Sequence, residues 1–419
     1  MPRLGDIREA SIEHLNLPSM PWLQEIAGIR KGGIYLLAGE PGIGKTTLAI
    51  QIFGDLALQG NKVLYLTNEQ TQFDLLSVAK RVLSEEGELP NRVKENFLIE
   101  HLVRIEDLEF WHHHLFLPDQ PYSDVSAIAI DSVQGGGTAS TARASYRKLY
   151  SFTYAAKNHG ITSILIGHVT KDGKIAGPKD LEHEVDAIIH LRRAFKLRPL
   201  FVPKNRYGPA RLDPVTLTMD KKGRLVPSPY ATPSNVIVHT VGYDYELRSP
   251  MITEVQANVL IPKYGERPKL RAPYLPSERL KQLLTVLSQL PEIDISNLTF
   301  EVNCYVRGSR GYHIGFDLPI ALGIVTSYLR ERIPASSIFT GEVDLTGRIR
   351  PPGRMIVEWL GHIFQDQEPS FLQNCSRIYI SSEVSGELED IFNQNNIDIQ
   401  INAADDILSL FKDIWPHAF

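Results

Sequence analysis

Residues 39–46 read Gly-Glu-Pro-Gly-Ile-Gly-Lys-Thr and fit the spacing G-x-x-x-x-G-K-[ST], which cradles phosphate. Each residue type has a physical reason. Gly39, Gly42 and Gly44 let the backbone curl so that its N–H groups face inward, where a side chain would collide with phosphate. Lys45 can reach the β- and γ-phosphates of a nucleotide, and the Thr46 hydroxyl can ligate Mg²⁺. Glu40, Pro41, Ile43 and Thr47 complete the stretch expected to wrap the anion at a helix start. Two carboxylates suit the same chemistry. Glu69 follows the apolar run 63–67, and Asp131 closes the run 125–130. In an open parallel sheet, ligands sit at the carboxyl ends of strands. Glu69 is therefore placed to poise a water beside a γ-phosphate, and Asp131 to hold the Mg²⁺ shell through water or Thr46. His168 and Thr170 end a further run, 161–166, where a γ-phosphate could be sensed.

The elements that must position these groups follow from the pattern. Residues 34–38 read as a buried strand and 47–53 as the first turns of a helix, the context a phosphate loop requires. Residues 63–67, 125–130 and 161–166 read as further buried strands, 71–118 as amphipathic helix, and 144–158 as helix. Strand and helix alternating from 34 to 191 argue an α/β fold, a parallel sheet with helices on both faces. The small, polar residues 134–141 and the stretch 171–178 read as loops at the ligand face. Trp111-His112-His113-His114 invites a metal reading. Consecutive residues do not share a helix face and no second ligand cluster stands nearby, so packing or a surface position is expected.

Composition bounds the rest. The chain has 419 residues, 43% hydrophobic and 22% charged, with formal net charge −5. That is enough for two or three soluble domains, and nucleic acid would have to meet a local basic patch. Residues 187–212 are such a strip, with Arg192, Arg193, Lys196, Arg198, Lys204, Arg206 and Arg211 and no acidic residue. It could serve nucleotide phosphates, DNA phosphates, or only a solvated sheet edge. The two cysteines, Cys304 and Cys375, are too few for a disulfide scaffold and suit a reducing compartment. No apolar run approaches a membrane span and no signal peptide is evident, so a cytoplasmic location without membrane contact is expected. Pro227, Pro229 and Pro233 mark a linker. After it, strands at 236–241, 252–260, 298–306 and 377–381 and helices at 278–289, 318–332, 355–364 and 403–414 make a separate α+β domain. The expected division is 1–226, a linker 227–235, and 236–419.

Taken together, residues 39–46, Glu69, Asp131-Ser132, Gly167-His168-Val169-Thr170-Lys171 and above all Lys204-Asn205-Arg206-Tyr207-Gly208 resemble the bacterial RadA (Sms) family, RecA-like ATPases of recombinational DNA repair. The second domain resembles the Lon-protease-like domain that ends RadA chains, most recognisably at residues 341–351. The resemblance implies ATP and Mg²⁺ as cofactors and single-stranded or branched DNA as partner. It implies a homo-oligomeric ring, with six subunits expected, and a RecA-type recombinase as possible company. It implies Lys204 and Arg206 acting on a neighbour's γ-phosphate, with contact to DNA phosphates as the competing role. DNA would meet loops 134–146 and 170–180, with Arg143, Arg147, Lys171, Lys174 and Lys179. Three departures stand out. Family members normally begin with a four-cysteine zinc finger, whereas no cysteine precedes Cys304, so no zinc is expected. The pentapeptide has Tyr207 where the family usually has Phe, which reads as a mild change. Matching the Lon motifs puts Gly315 where the serine nucleophile would stand and Ile356 where the lysine would stand, so no protease activity is expected. A nucleotide-switched scaffold without DNA, and an ATP-dependent protease, are the rival functions.

Overall fold

A computed structural model describes residues 13–85, 87–101, 108–132, 139–169, 179–194, 197–228, 236–244, 248–291, 293–295, 298–305, 312–365 and 375–419. The chain divides into two compact units, Met1–Ala231 and Thr232–Phe419.

The first unit is built on a nine-stranded sheet among the described residues. Its strands are β1 (Ile34–Gly39), β2 (Lys62–Thr67), β3 (Phe97–His101), β4 (Val125–Asp131), β5 (Thr162–His168), β6 (Ala187–Leu191), β7 (Leu197–Asn205), β8 (Arg211–Met219) and β9 (Leu225–Pro227). Their spatial order is β3-β2-β4-β5-β1-β6-β7-β8-β9. Pairing is parallel from β3 across to β6 and antiparallel from β6 to β9. The near-continuous apolar runs of the inner strands reflect burial on both faces. Successive side chains alternate between two cores. Tyr35, Leu37, Tyr65, Ala129 and Ile164 pack with Leu48, Ile52 and Phe53 of the helix Lys45–Leu58. Leu36, Leu64, Leu66, Ile128 and Leu165 pack on the other face with Trp111, Leu149 and Phe152, from the helices Leu108–Phe116 and Ala139–Asn158.

One expectation is corrected here. Residues 71–118 are not helical throughout: the helices Gln72–Leu83 and Asn91–Asn96 lead into β3 at the sheet edge before Leu108–Phe116. β3 is only half buried and has one paired neighbour, so it lacks the apolar run that marks an inner strand. The histidines at 112–114 pack in rings: His114 lies 4.2 Å from the Phe110 ring and His112 4.8 Å from that of Phe116.

The second unit carries a mixed seven-stranded sheet among the described residues. Its strands, with a separate two-stranded pair, are β10 (Val236–Asp244), β11 (Ser249–Leu260), β12 (Leu270–Arg271), β13 (Thr299–Tyr305), β14 (Ser337–Phe339), β15 (Glu342–Val343), β16 (Ile349–Arg350), β17 (Arg377–Ser381) and β18 (Gln400–Ala404). The order is β12-β13-β11-β10-β14-β17-β18, with β15 pairing β16. The helix Asp317–Leu329 is buried along its length and packs on β10 and β11. The stretch expected as one closing helix, 403–414, instead ends β18 and then forms the helix Ile407–Ile414, capped by Asp406. No helix among the described residues is long and apolar enough to cross a membrane.

Candidate nucleotide site

The phosphate loop turns between the end of β1 and the start of the helix Lys45–Leu58. Gly42 and Gly44 have φ of +70° and +110°, values that L side chains rarely adopt. Gly39 is fixed by contact rather than by φ: a Cβ there would stand 2.7 Å from the Leu191 carbonyl oxygen of β6. Ile43 is fully buried and anchors the loop in the core, while the loop backbone and Thr47 open onto a cleft. That cleft has a volume of about 400 Å³. Pro41, Gly42, Gly44, Lys45, Thr46 and Thr47 form one wall. Glu69, Asp131 and His168, from three neighbouring strand ends, form another. Val78, Arg81 and Met219 also line it, and none of the three carries a motif that would single it out in the sequence.

The charged groups at the strand ends form one connected set. Lys45 Nζ donates to the carbonyls of Gly39 (2.8 Å) and Glu40 (3.0 Å) and meets His168 Nδ1 at 3.3 Å. His168 Nε2 meets Glu69 Oε1 at 3.2 Å. With the ammonium donating to Nδ1, the ring proton belongs on Nε2, where it donates to Glu69. The Ser132 hydroxyl donates to the same Glu69 oxygen. The Asn68 side-chain oxygen accepts from the Ser132 amide at 2.9 Å, which knits the ends of β2 and β4 together. Burial pulls the Lys45 ammonium below its ordinary range, and the Asp131, Glu69 and Glu40 charges oppose that.

Asp131 is 2% exposed. Its Oδ2 accepts from the Tyr65 hydroxyl at 2.7 Å and from Thr46 Oγ1 at 3.4 Å. Burial pushes its carboxyl above the ordinary range; the Tyr65 bond and the Lys45 charge work against that, and the Glu69 charge adds to it. Hydroxyl and carboxylate are hard oxygen donors. Mg²⁺ takes one or two protein oxygens and fills its octahedron with water and phosphate, so Thr46 and Asp131 fit that ion. Tyr65 is the group that the sequence hides. It sits inside an apolar strand and reads as one more core aromatic.

Lys204 and Arg206 are not part of this cleft. Lys204 Nζ donates to the carbonyls of Glu182 (2.6 Å) and His183 (2.8 Å), and Arg206 donates to His183 O (2.8 Å). Strand register shows the separation. Asn205 pairs with Ala187, which pairs with Tyr35 near the start of β1, whereas the phosphate loop leaves from Gly39 at its end. Those four residues span about 13 Å along the strand. Of the basic strip, Arg193 does approach the loop, with Nε 4.0 Å from Glu40 Oε2. Of the loops expected at a DNA face, 133–138 and 170–178 lie outside the described residues, and Arg147 stands exposed on the helix Ala139–Asn158.

Residues 3–174 match a family described as an AAA domain. The DNA repair protein RadA of Aquifex aeolicus is 31% identical over 346 residues, covering 77% of this chain and 71% of that protein. RadA of Campylobacter jejuni is 30% identical over 336 residues, covering 77% and 71%. RadA of Bacillus subtilis is 27% identical over 351 residues, covering 78% and 70%.

Proposed function

The chain belongs to the RadA family of DNA repair proteins, and from that premise we propose that it is a DNA-stimulated ATPase of recombinational repair. The observation that carries the reading is the connected set Lys45, His168, Glu69 and Ser132 beside the Thr46–Asp131 pair, all at the carboxyl ends of the parallel strands. A bound nucleotide supplies the phosphoanhydride bond to be cleaved, and Mg²⁺ supplies charge neutralisation. Lys45 contributes positive charge inside the loop, where phosphate oxygens would lie. Thr46 and Asp131 offer the hard oxygens. Glu69 orients the attacking water and accepts its proton. His168, between Lys45 and Glu69, ties the orientation of the base to the occupancy of the loop.

In this reading the site is shared between subunits of a ring. Lys204 and Arg206 lie at the opposite edge of their own sheet from their own phosphate loop, which supports action on a neighbour's nucleotide rather than on their own. DNA contact is assigned to the segments 134–146 and 170–180. The second unit is read as a Lon-protease-like assembly domain without peptidase activity. A Cβ built on Gly315 would stand 2.9 Å from Ile356 Cδ1, so the positions matched to the Lon serine and lysine adjoin, and neither residue can do that chemistry.

The test is the ATP hydrolysis rate with and without single-stranded DNA across a salt series. DNA should raise the rate, and the stimulation should fade steeply as salt rises, because counterion release drives such binding. A rate indifferent to DNA at low salt would leave a nucleotide-switched scaffold as the better description.

A further inference from the structure

Asp186 lies between the helix Lys179–Glu184 and β6, and it is 1% exposed. Its carboxylate is saturated with donors. The Ile34 amide reaches Oδ2 at 3.0 Å, Lys157 Nζ lies 2.8 Å from both oxygens, and the Tyr207 hydroxyl reaches Oδ2 at 2.6 Å. Arg206 adds a longer contact to Oδ1 at 3.4 Å, and its amide donates to the Asp186 carbonyl at 2.8 Å. The Tyr207 ring lies under the Arg30 guanidinium, 4.4 Å from the ring centroid, and Arg30 also donates to the Tyr207 carbonyl at 3.2 Å. One buried carboxylate thus joins the first residue of β1, the end of the helix Ala139–Asn158 and the turn at Arg206 and Tyr207 that follows Lys204 at the end of β7.

We propose that Tyr207 and Asp186 are positioning residues. The bond from phenol to carboxylate fixes the turn that presents Lys204 and Arg206 to the nucleotide of an adjacent subunit. The proposal rests on the shared-site reading above. It gives the Tyr207 hydroxyl a definite task, which a phenylalanine could not perform. Because Asp186 also holds the Ile34 amide, the turn is tied to the base of the strand whose far end is the subunit's own phosphate loop. The fingers and the loop of one subunit are therefore set on one rigid element. A donor to a buried charged acceptor is among the stronger hydrogen bonds. Its removal takes away the tie from the Tyr207 side chain to Asp186, and leaves Tyr207 its ring packing and backbone bonds and Arg206 its bonds to the Asp186 and His183 carbonyls.

The experiment is complementation with full-length chains. Tyr207→Phe alone should lower the kcat for DNA-stimulated ATP hydrolysis on the order of tenfold, with KM for ATP nearly unchanged, since the ground-state binding surface is intact. Lys45→Ala subunits have no working loop but keep intact fingers. Mixed in equal amounts with Tyr207→Phe, they should restore about one quarter of the wild-type rate, because random pairing around a closed ring joins a sound loop to sound fingers at that fraction of contacts. Arg206→Ala mixed with Lys45→Ala is the control. If that mixture shows no recovery, the shared site itself is wrong and the proposal falls with it. If it recovers, but Tyr207→Phe keeps full kcat alone or stays depressed in the mixture, the shared site stands and the role given to Tyr207 is overturned. Lys157→Met, which strips a donor from the other side of Asp186, should behave as Tyr207→Phe does. It replaces that variant if thermal unfolding shows Tyr207→Phe to be misfolded.

Discussion

Tyr65→Phe is the sharpest perturbation available at the side of the cleft proposed to hold Mg²⁺. It removes one hydroxyl from a ring that is fully buried and changes nothing else in its shape. The lost bond is 2.7 Å long and ends on Asp131 Oδ2, which then keeps only the 3.4 Å contact to Thr46. A hydrogen bond to a charged partner contributes about 1.5–3 kcal/mol, which bounds the effect at roughly tenfold to a hundredfold. Two consequences follow. The carboxylate loses its shorter bond at Oδ2, and with it the tie to the buried Tyr65 ring. Its pKa, already raised by burial, rises further. Only the charged carboxylate holds the cation shell, so a raised pKa moves the acid loss of Mg²⁺-dependent binding to higher pH. The assay is fluorescent-nucleotide binding against Mg²⁺ concentration at several pH values, with EDTA as the metal-free baseline. Tyr65→Phe should need more Mg²⁺ at neutral pH, and the excess should widen as pH falls. If the Mg²⁺ requirement matches wild type at every pH while only the melting temperature drops, Tyr65 is a packing residue and the reasoning fails.

Glu69→Gln should retain nucleotide binding while phosphate release falls on the order of a hundredfold or more, the range for losing a positioned general base; unimpaired release would remove Glu69 from the mechanism. His190 is 1% exposed, and burial, helped by the Arg192 charge, lowers its pKa to about 4. The folded chain keeps it neutral, whereas the unfolded chain takes a proton below about pH 6.5, so its contribution is full above that pH and falls by about 3 kcal/mol as pH drops toward 4. Urea unfolding of wild type and His190→Gln should show a shallower pH slope for the variant between pH 7 and 5, and equal slopes would refute the assignment. In the second unit, Gly315→Ser would crowd Ile356 and Thr340 at 2.9 Å and His313 at 3.0 Å. It should cost about 1–3 kcal/mol of stability and create no casein cleavage; a stable variant that cleaves would show the site to be only one residue from activity.

What could be read before the fold was known follows from where the constraint lies. The phosphate loop was legible because one ligand dictates glycine at fixed places and a cation and hydroxyl just after them, all within eight residues. The placement of Glu69, Asp131 and His168 along one cleft was legible because each stands at or just past the end of an apolar strand, and the carboxyl ends of parallel strands are a place that local pattern can locate. Tyr65 was not, since its bond joins residues 66 apart and depends on β2 lying beside β4 in one register. β3 was missed because an edge strand is half exposed and its apolar signal is diluted. The basic strip shows a third case. Its charge was evident, yet charge alone left three uses open. The use depends on which edge of the sheet each residue occupies. Register separates them: Arg193, just past the end of β6, approaches the loop, while Lys204 and Arg206 lie at the far edge. Tyr207 sharpens the point. As a letter in a pentapeptide it differs from phenylalanine by one oxygen and reads as neutral. Placed 2.6 Å from a buried carboxylate, that oxygen becomes the link between the segment facing outward and the strand that carries the loop.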